Sequence, residues 1–156
     1  MNNSKYKILI VDDVDENLKL VATILEKVGF ETKTAIDGLK ALRLVKESKY
    51  DLILLDIMMP IMDGIQTCRY LKVEPITASI PVIFLTASND KETLTKAYSV
   101  GGVDYIKKPF ALKELLFRIK ALLKREFKIQ SELIKIKKEI DLNKHTKENI
   151  NNKKKK

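Results

Sequence analysis

The chain has 156 residues and 45% apolar content, enough for one folded domain with a sizeable core and a remainder outside it. Its formal charge of +9 is segregated: residues 1–110 hold 15 basic and 15 acidic side chains, and residues 111–156 hold 15 and 6. An argument from charge for nucleic-acid binding therefore applies to the C-terminal segment alone. A single cysteine, Cys68, excludes an internal disulfide and reads as a small buried side chain in a reducing compartment. No apolar run approaches the roughly 20 residues of a membrane span, and residues 1–6 carry no signal-peptide core. We expect a cytoplasmic protein with no membrane insertion.

Short apolar runs alternate with amphipathic stretches five times along residues 7–124, the pattern of repeated βα units and of a parallel sheet covered by helices. The strands are read at residues 7–11, 31–35, 51–55, 81–85 and 104–106. The first, third and fourth are continuously apolar, as buried parallel strands should be. Helices are expected to start near Glu16, Gly38, Gly64, Lys91 and Ala111, with Asp37 and Asn89 as N-caps and Gly29 as a C-terminal stop. Leu18, Val21, Ala22, Leu25 and Val28 form a helical stripe for packing on the sheet.

The apolar runs end in polar groups. Ile8–Val11 runs into Asp12 and Asp13, Leu52–Leu55 into Asp56, Val82–Leu85 into Thr86, and Val103–Lys107 into Lys108 and Pro109. In an open parallel α/β sheet these positions share the edge where ligands bind. Three carboxylates within a few ångströms repel one another unless a cation compensates, so Asp12, Asp13 and Asp56 imply a hard divalent ion, Mg2+ by its preference for oxygen. Asp56 is then the candidate nucleophile for a phosphoryl group, Lys108 a point charge for the phosphoryl oxygens, and Thr86 a hydroxyl donor beside them. Taken alone, Asp12 could equally be a turn former or a helix cap.

Val11-Asp12-Asp13, Leu55-Asp56-Ile57-Met58-Met59-Pro60-Ile61-Met62-Asp63-Gly64, Leu85-Thr86-Ala87 and Asp104-Tyr105-Ile106-Lys107-Lys108-Pro109-Phe110 together resemble the signature segments of the receiver domain of two-component response regulators. The resemblance spans about residues 6–124. It implies a flavodoxin-like (βα)5 fold with a doubly wound parallel sheet of order 2-1-3-4-5. It also implies phosphorylation of Asp56 by a histidine kinase or phosphotransfer protein, with Mg2+ held by Asp13, Asp56 and the backbone carbonyl of Met58, and by Asp12 through water. Lys108 would contact the phosphoryl group, Thr86 would move to hydrogen-bond it, and Tyr105 would rotate inward behind Thr86. Such a protein is not an enzyme for outside substrates; it catalyses only its own phosphorylation and dephosphorylation. Met58 and Ser88 occupy positions that tune acyl-phosphate lifetime in this family. Gly102 stands where the family usually has alanine, a change expected to loosen the turn before the last strand.

Residues 1–124 are thus read as the receiver and residues 125–156 as a basic helical, coiled-coil extension with a disordered Lys-rich end. Leu115, Leu122, Ile129 and Ile136 share one heptad position, and Ile119, Glu126, Leu133 and Ile140 share the one four residues later. This seam predicts a parallel homodimer, kept weak by Glu126 with Lys137 and Lys138 nearby. Without aromatics among the basic residues or a groove-reading motif, specific nucleic-acid binding is not expected. Output would come from an unknown downstream effector, since no second globular domain fits in the last 32 residues. Two alternatives stand beside this reading. One is a receiver fragment of a larger hybrid kinase or output protein. The other is a Mg2+-dependent aspartyl phosphatase, which would want a second acid where Met58 stands.

Overall fold

The computed structural model describes residues 6–155, and these divide into two units, one ending at Leu116 and one beginning at Phe117. In chain order the first unit contains β1 (Lys7–Val11), α1 (Asp15–Lys27), β2 (Glu31–Ala35), α2 (Gly38–Glu47), β3 (Leu52–Asp56), α3 (Gly64–Val73), β4 (Val82–Thr86), α4 (Lys91–Ser99), β5 (Asp104–Lys107) and the start of α5 (Leu112–Lys154). All strands are parallel and lie in the order β2-β1-β3-β4-β5, the flavodoxin-like order expected.

The apolar runs set this architecture. Every residue of β3 and β4 is buried, and so are four of the five in β1, because helices cover both faces. Alternate residues Leu9, Val11, Ile53, Leu55 and Phe84 point to one face and join Ala41, Val45, Cys68, Leu71 and Ala97 of α2, α3 and α4 in a single core. On α1 the expected stripe turns Leu18, Val21 and Leu25 inward.

Strands β3 and β4 each begin and end one residue later than the apolar pattern suggests. Pro81 has no N–H to give the ladder, although its carbonyl accepts from Ile53 N at 3.0 Å. The polar residues Asp56 and Thr86 are drawn into the ladders, paired with Leu85 and Lys107 respectively. Helix starts match within a residue, the range over which helix ends fray. Asp37 caps α2 through Lys40 N at 2.8 Å, and Gly29 takes φ 102° after α1. The α4 cap is Asp90, not Asn89: its carboxylate accepts from Glu92 N at 3.1 Å. Asp63 and Gln66 form a reciprocal capping box at α3.

Gly102 has a packing role beside the expected effect on its turn. A Cβ there would lie 2.5 Å from Cε2 of Phe84 and 2.8 Å from the Ala97 carbonyl oxygen, so the glycine makes room for a fully buried ring. The second unit is the remainder of one continuous helix. Where the sequence suggests a disordered Lys-rich end, α5 continues through Lys153 and Lys154, cations that interact favourably with a helix C-terminus; Lys156 lies outside the described residues. Among the described residues no helix is long and apolar enough to cross a membrane.

The Gly102–Phe84 fit predicts strong coupling. Gly102→Ala should cost about 1–3 kcal/mol by overpacking, and Phe84→Val should cost a similar amount through the cavity it leaves. Urea denaturation of the double variant should show less than the sum of the two losses, since the new methyl occupies part of the vacated space; strict additivity would show that the two sites do not share that space.

Candidate functional site

Parallel strands deliver their C-terminal ends to one edge, so the polar residue that closes each apolar run arrives at the same place. Asp12 follows β1, Asp56 ends β3, Thr86 ends β4, and Lys108 follows β5. Asp12, Asp13 and Asp56 each offer a carboxylate oxygen, all within 4.8 Å of one another. Asp12 and Asp56 are 4% and 6% exposed, while Asp13 is exposed. The cluster therefore has two dry carboxylates and one wet one at its mouth.

Lys108 compensates them unequally. Its Nζ donates to Asp12 Oδ2 at 2.7 Å and to Asp56 Oδ2 at 3.4 Å. Asp12 also accepts from Val14 N at 2.9 Å through Oδ1 and from Asn17 Nδ2 at 3.3 Å. Among the described residues, Asp56 has only Met58 N besides, at 3.3 Å through Oδ1. Asp12 is thus held from three sides and Asp56 is held loosely, which leaves its oxygens available to react. Burial pushes the Asp56 carboxyl above its ordinary value; Lys108 opposes this, and the charge on Asp12 adds to it. For Lys108, burial works to lower the value, but the hydrogen bond to Asp12 and the charges on Asp56 and Asp12 outweigh it and raise the ammonium above its usual range.

Backbone packing fixes Asp56 from below. After β3 the chain turns back through Met59 N to Ile57 O at 3.1 Å, Met62 N to Pro60 O at 2.8 Å and Gly64 N to Ile57 O at 2.8 Å. A Cβ on Gly64 would sit 2.2 Å from the Asp56 carbonyl oxygen, so only glycine lets α3 start directly beneath the carboxylate. The Met58 side chain is 65% exposed at the rim of this loop.

Thr86 is fully buried. Its Oγ1 accepts from Ser88 N at 3.3 Å, and its carbonyl accepts from Lys108 N at 2.8 Å. Tyr105, half-buried on β5, donates its hydroxyl to the Ser88 carbonyl oxygen. Thr86 and Tyr105 are therefore both tied to the backbone of Ser88, one at its N–H and one at its carbonyl, a link that residue identities alone do not signal. Asn17 and Gly64 were likewise missed. The Asp63-Gly64 turn was visible as a turn, whereas an asparagine five residues after Asp12 carries no pattern. Cys68 is fully buried, its thiol pushed up to about 11 by burial, so it is a protonated packing residue at neutral pH.

A family model for the response regulator receiver domain matches residues 8–120. The DNA-binding response regulator MtrA of Mycobacterium tuberculosis is 37% identical over 136 residues, covering 87% of this chain and 58% of that protein. A two-component response regulator from Clostridium difficile superposes with a TM-score of 0.74 at 31% identity, over 78% of this chain and 98% of that one. A CheY-like receiver domain protein from Methanospirillum hungatei gives a TM-score of 0.75 at 28% identity, over 79% and 97%. The chain belongs to the response regulator receiver domain family, whose members work with histidine kinases. It spans a little over half the length of the curated relatives it matches.

The raised Asp56 carboxyl makes a signed prediction. A carboxyl whose folded-state value lies above the unfolded one destabilises the fold above that folded value, and the penalty disappears below the ordinary value of 3.8. Without divalent cations, Asp56→Asn should therefore raise Tm at pH 7 by a few degrees, on the order of 1 kcal/mol. The gain should fade as pH falls toward 4. A variant less stable than the parent at pH 7 would mean that the attraction of Lys108 outweighs burial.

Proposed function

We propose that this chain is a phosphorylation-operated switch in which Asp56 accepts a phosphoryl group from the phosphohistidine of a histidine kinase or phosphotransfer protein. The observation that carries this reading is the three-carboxylate cluster within 4.8 Å beside Lys108 Nζ. The donor set is all oxygen, with three carboxylates, and suits Mg2+: Asp12, Asp13, Asp56 and the neutral backbone carbonyl of Met58 would hold the ion. When bound, the ion neutralises carboxylate charge and polarises the phosphoryl oxygens.

An Asp56 oxygen, already ionised, attacks phosphorus; the P–N bond of the phosphohistidine breaks and its electron pair returns to the imidazole, which takes a proton from solvent. An acyl phosphate remains on Asp56. Lys108 moves from its carboxylate partners to the new phosphoryl oxygens, a charge shift that needs no general base. The Thr86 hydroxyl donates to the phosphoryl group, and the backbone of Ser88 carries the change to Tyr105 as a shift between existing populations. A cavity of about 440 Å3 opens beside Lys108, walled by Leu20, Val21, Phe110 and Leu112. Its apolar walls suit a docking partner that excludes water during transfer.

The chain acts on no outside substrate and catalyses only its own phosphorylation and dephosphorylation. A phosphatase using the same aspartate would want an acid two residues on, and Met58 stands there. We place the protein in the cytoplasm, with the boundary between receiver and extension near residue 124, a homodimer through α5 and a downstream effector as the recipient of the signal. A second reading follows from length: relatives such as MtrA are called DNA-binding and are longer than the matched segment, so this chain could equally serve as the receiver part of a larger output protein. Specific nucleic-acid binding is not assigned to residues 1–156.

Incubation with phosphoramidate and Mg2+ should add one phosphoryl mass, removed by hydroxylamine and prevented by EDTA. Asp56→Asn should gain none; the same hydroxylamine-labile increment on that variant would move the acceptor elsewhere. Thr86→Ala should still be phosphorylated while losing most of the accompanying change in Tyr105 ring resonances. Equal changes in both proteins would remove Thr86 from transmission.

A further inference from the structure

The exposed face of α5 beyond residue 125 carries a charge code. Ile129, Leu133, Ile136 and Ile140 are 45%, 47%, 50% and 48% exposed, spaced 4, 3 and 4 along a single helix. If Leu133 and Ile140 take heptad position a, then Ile129 and Ile136 take d, and the positions flanking the seam follow. Glu132 and Glu139 fall at g; Gln130, Lys137 and Lys144 fall at e. All of these flanking side chains are exposed.

In a parallel in-register pair, each g residue faces the e residue five positions further along the other helix. Glu132 then faces Lys137, and Glu139 faces Lys144. By symmetry the contact occurs twice, giving four opposite-charge pairs. In an antiparallel pair, g faces g and e faces e, which sets glutamate against glutamate and lysine against lysine. The same four residues thus favour one orientation and oppose the other.

We propose that this segment binds a second copy of the chain as a parallel, in-register two-stranded coil whose orientation is selected by Glu132–Lys137 and Glu139–Lys144 pairs across the interface. The inference rests on the parallel homodimer expected above and adds its register, its strand number and the residues that select its orientation. Isoleucine at d leans toward more than two strands in an uninterrupted seam. Here Glu126 and Lys147 occupy a, and Asn143 occupies d. A larger bundle would enclose rings of like charge, whereas a two-stranded coil leaves these positions in reach of water.

Sedimentation of the full chain should give twice the chain mass at high concentration, with or without phosphorylation at Asp56. The double variants Glu132→Lys/Glu139→Lys and Lys137→Glu/Lys144→Glu should each dimerise about 10- to 100-fold more weakly. An equimolar mixture should recover a heterodimer at wild-type strength, a result that loss of folding could not produce. Asn143→Cys should form an intermolecular disulfide under oxidised glutathione, because identical d positions face each other only in a parallel in-register pair. Lys138→Cys, on the outer face, should not. Charge variants that dimerise like the parent, a dimer that Asn143→Cys cannot cross-link, or a trimeric or tetrameric mass would each overturn the proposal. A monomer at every concentration would overturn the homodimer with it. Phosphorylation at Asp56 is read separately by mass, so either failure leaves the receiver reading independently testable.

Discussion

Two buried carboxylates and one half-buried ammonium sit at the edge of the sheet, and the rest of the receiver unit is arranged around keeping them there. Asp12 and Asp56 are nearly dry, and like charges in a low dielectric would separate or take up protons if the chain could move. It cannot easily do so. The β1 and β3 ladders place Val11 opposite Leu55, and the Gly64 N–H draws the loop back onto Ile57 O. Beneath Asp56 the strand is fully buried and lies between β4, fully buried, and β1, buried in four of its five residues. The apolar core contributes the stability that this frustrated edge gives up, a common arrangement at functional sites.

The asymmetry between the two acids supports Asp56 as the acceptor in the transfer proposed above. Asp12 is engaged by Lys108, Val14 N and Asn17, while Asp56 has a longer contact with Lys108 and one backbone donor. A carboxylate already satisfied from three directions is a poor nucleophile. One that is buried, under-compensated and raised above its ordinary value gains most from a cation or a phosphoryl group that spreads its charge. In the same proposal, the flexible stem of Lys108 would carry its point charge from the carboxylates to the phosphoryl oxygens.

Most of the fold was legible because buried parallel strands are written as apolar runs and each run here ends in a chemically distinct residue. The runs ending in Asp56 and in Thr86 put both residues at the C-terminal ends of β3 and β4, where the structure has them. What the pattern did not disclose was ladder chemistry and contact. Proline at position 81 moves the start of β4, and α4 begins at Lys91, so Asp90 directly before it is the cap in place of Asn89. The roles of Asn17, of the Ser88 backbone and of the Gly102–Phe84 fit depend on which side chains meet across elements. No periodicity encodes such meetings. The family resemblance suggested a loosened turn at Gly102, and the buried ring of Phe84 gives the residue a packing role beside it.

Charge serves two opposite purposes in this chain. At the sheet edge it is concentrated and dehydrated, so a single phosphoryl group changes the balance strongly. Along the exposed part of α5 it is hydrated and distributed, so each cross-helix pair contributes little and only their sum chooses an orientation. In the coil proposed above, four apolar seam residues flanked by polar layers would give a weak association, because Glu126 and Lys147 remove apolar contact where a permanent coil would have it. A weak association responds steeply to local concentration. The extension is therefore suited to report how closely two copies of the chain are held, a quantity that a strong coil would leave fixed.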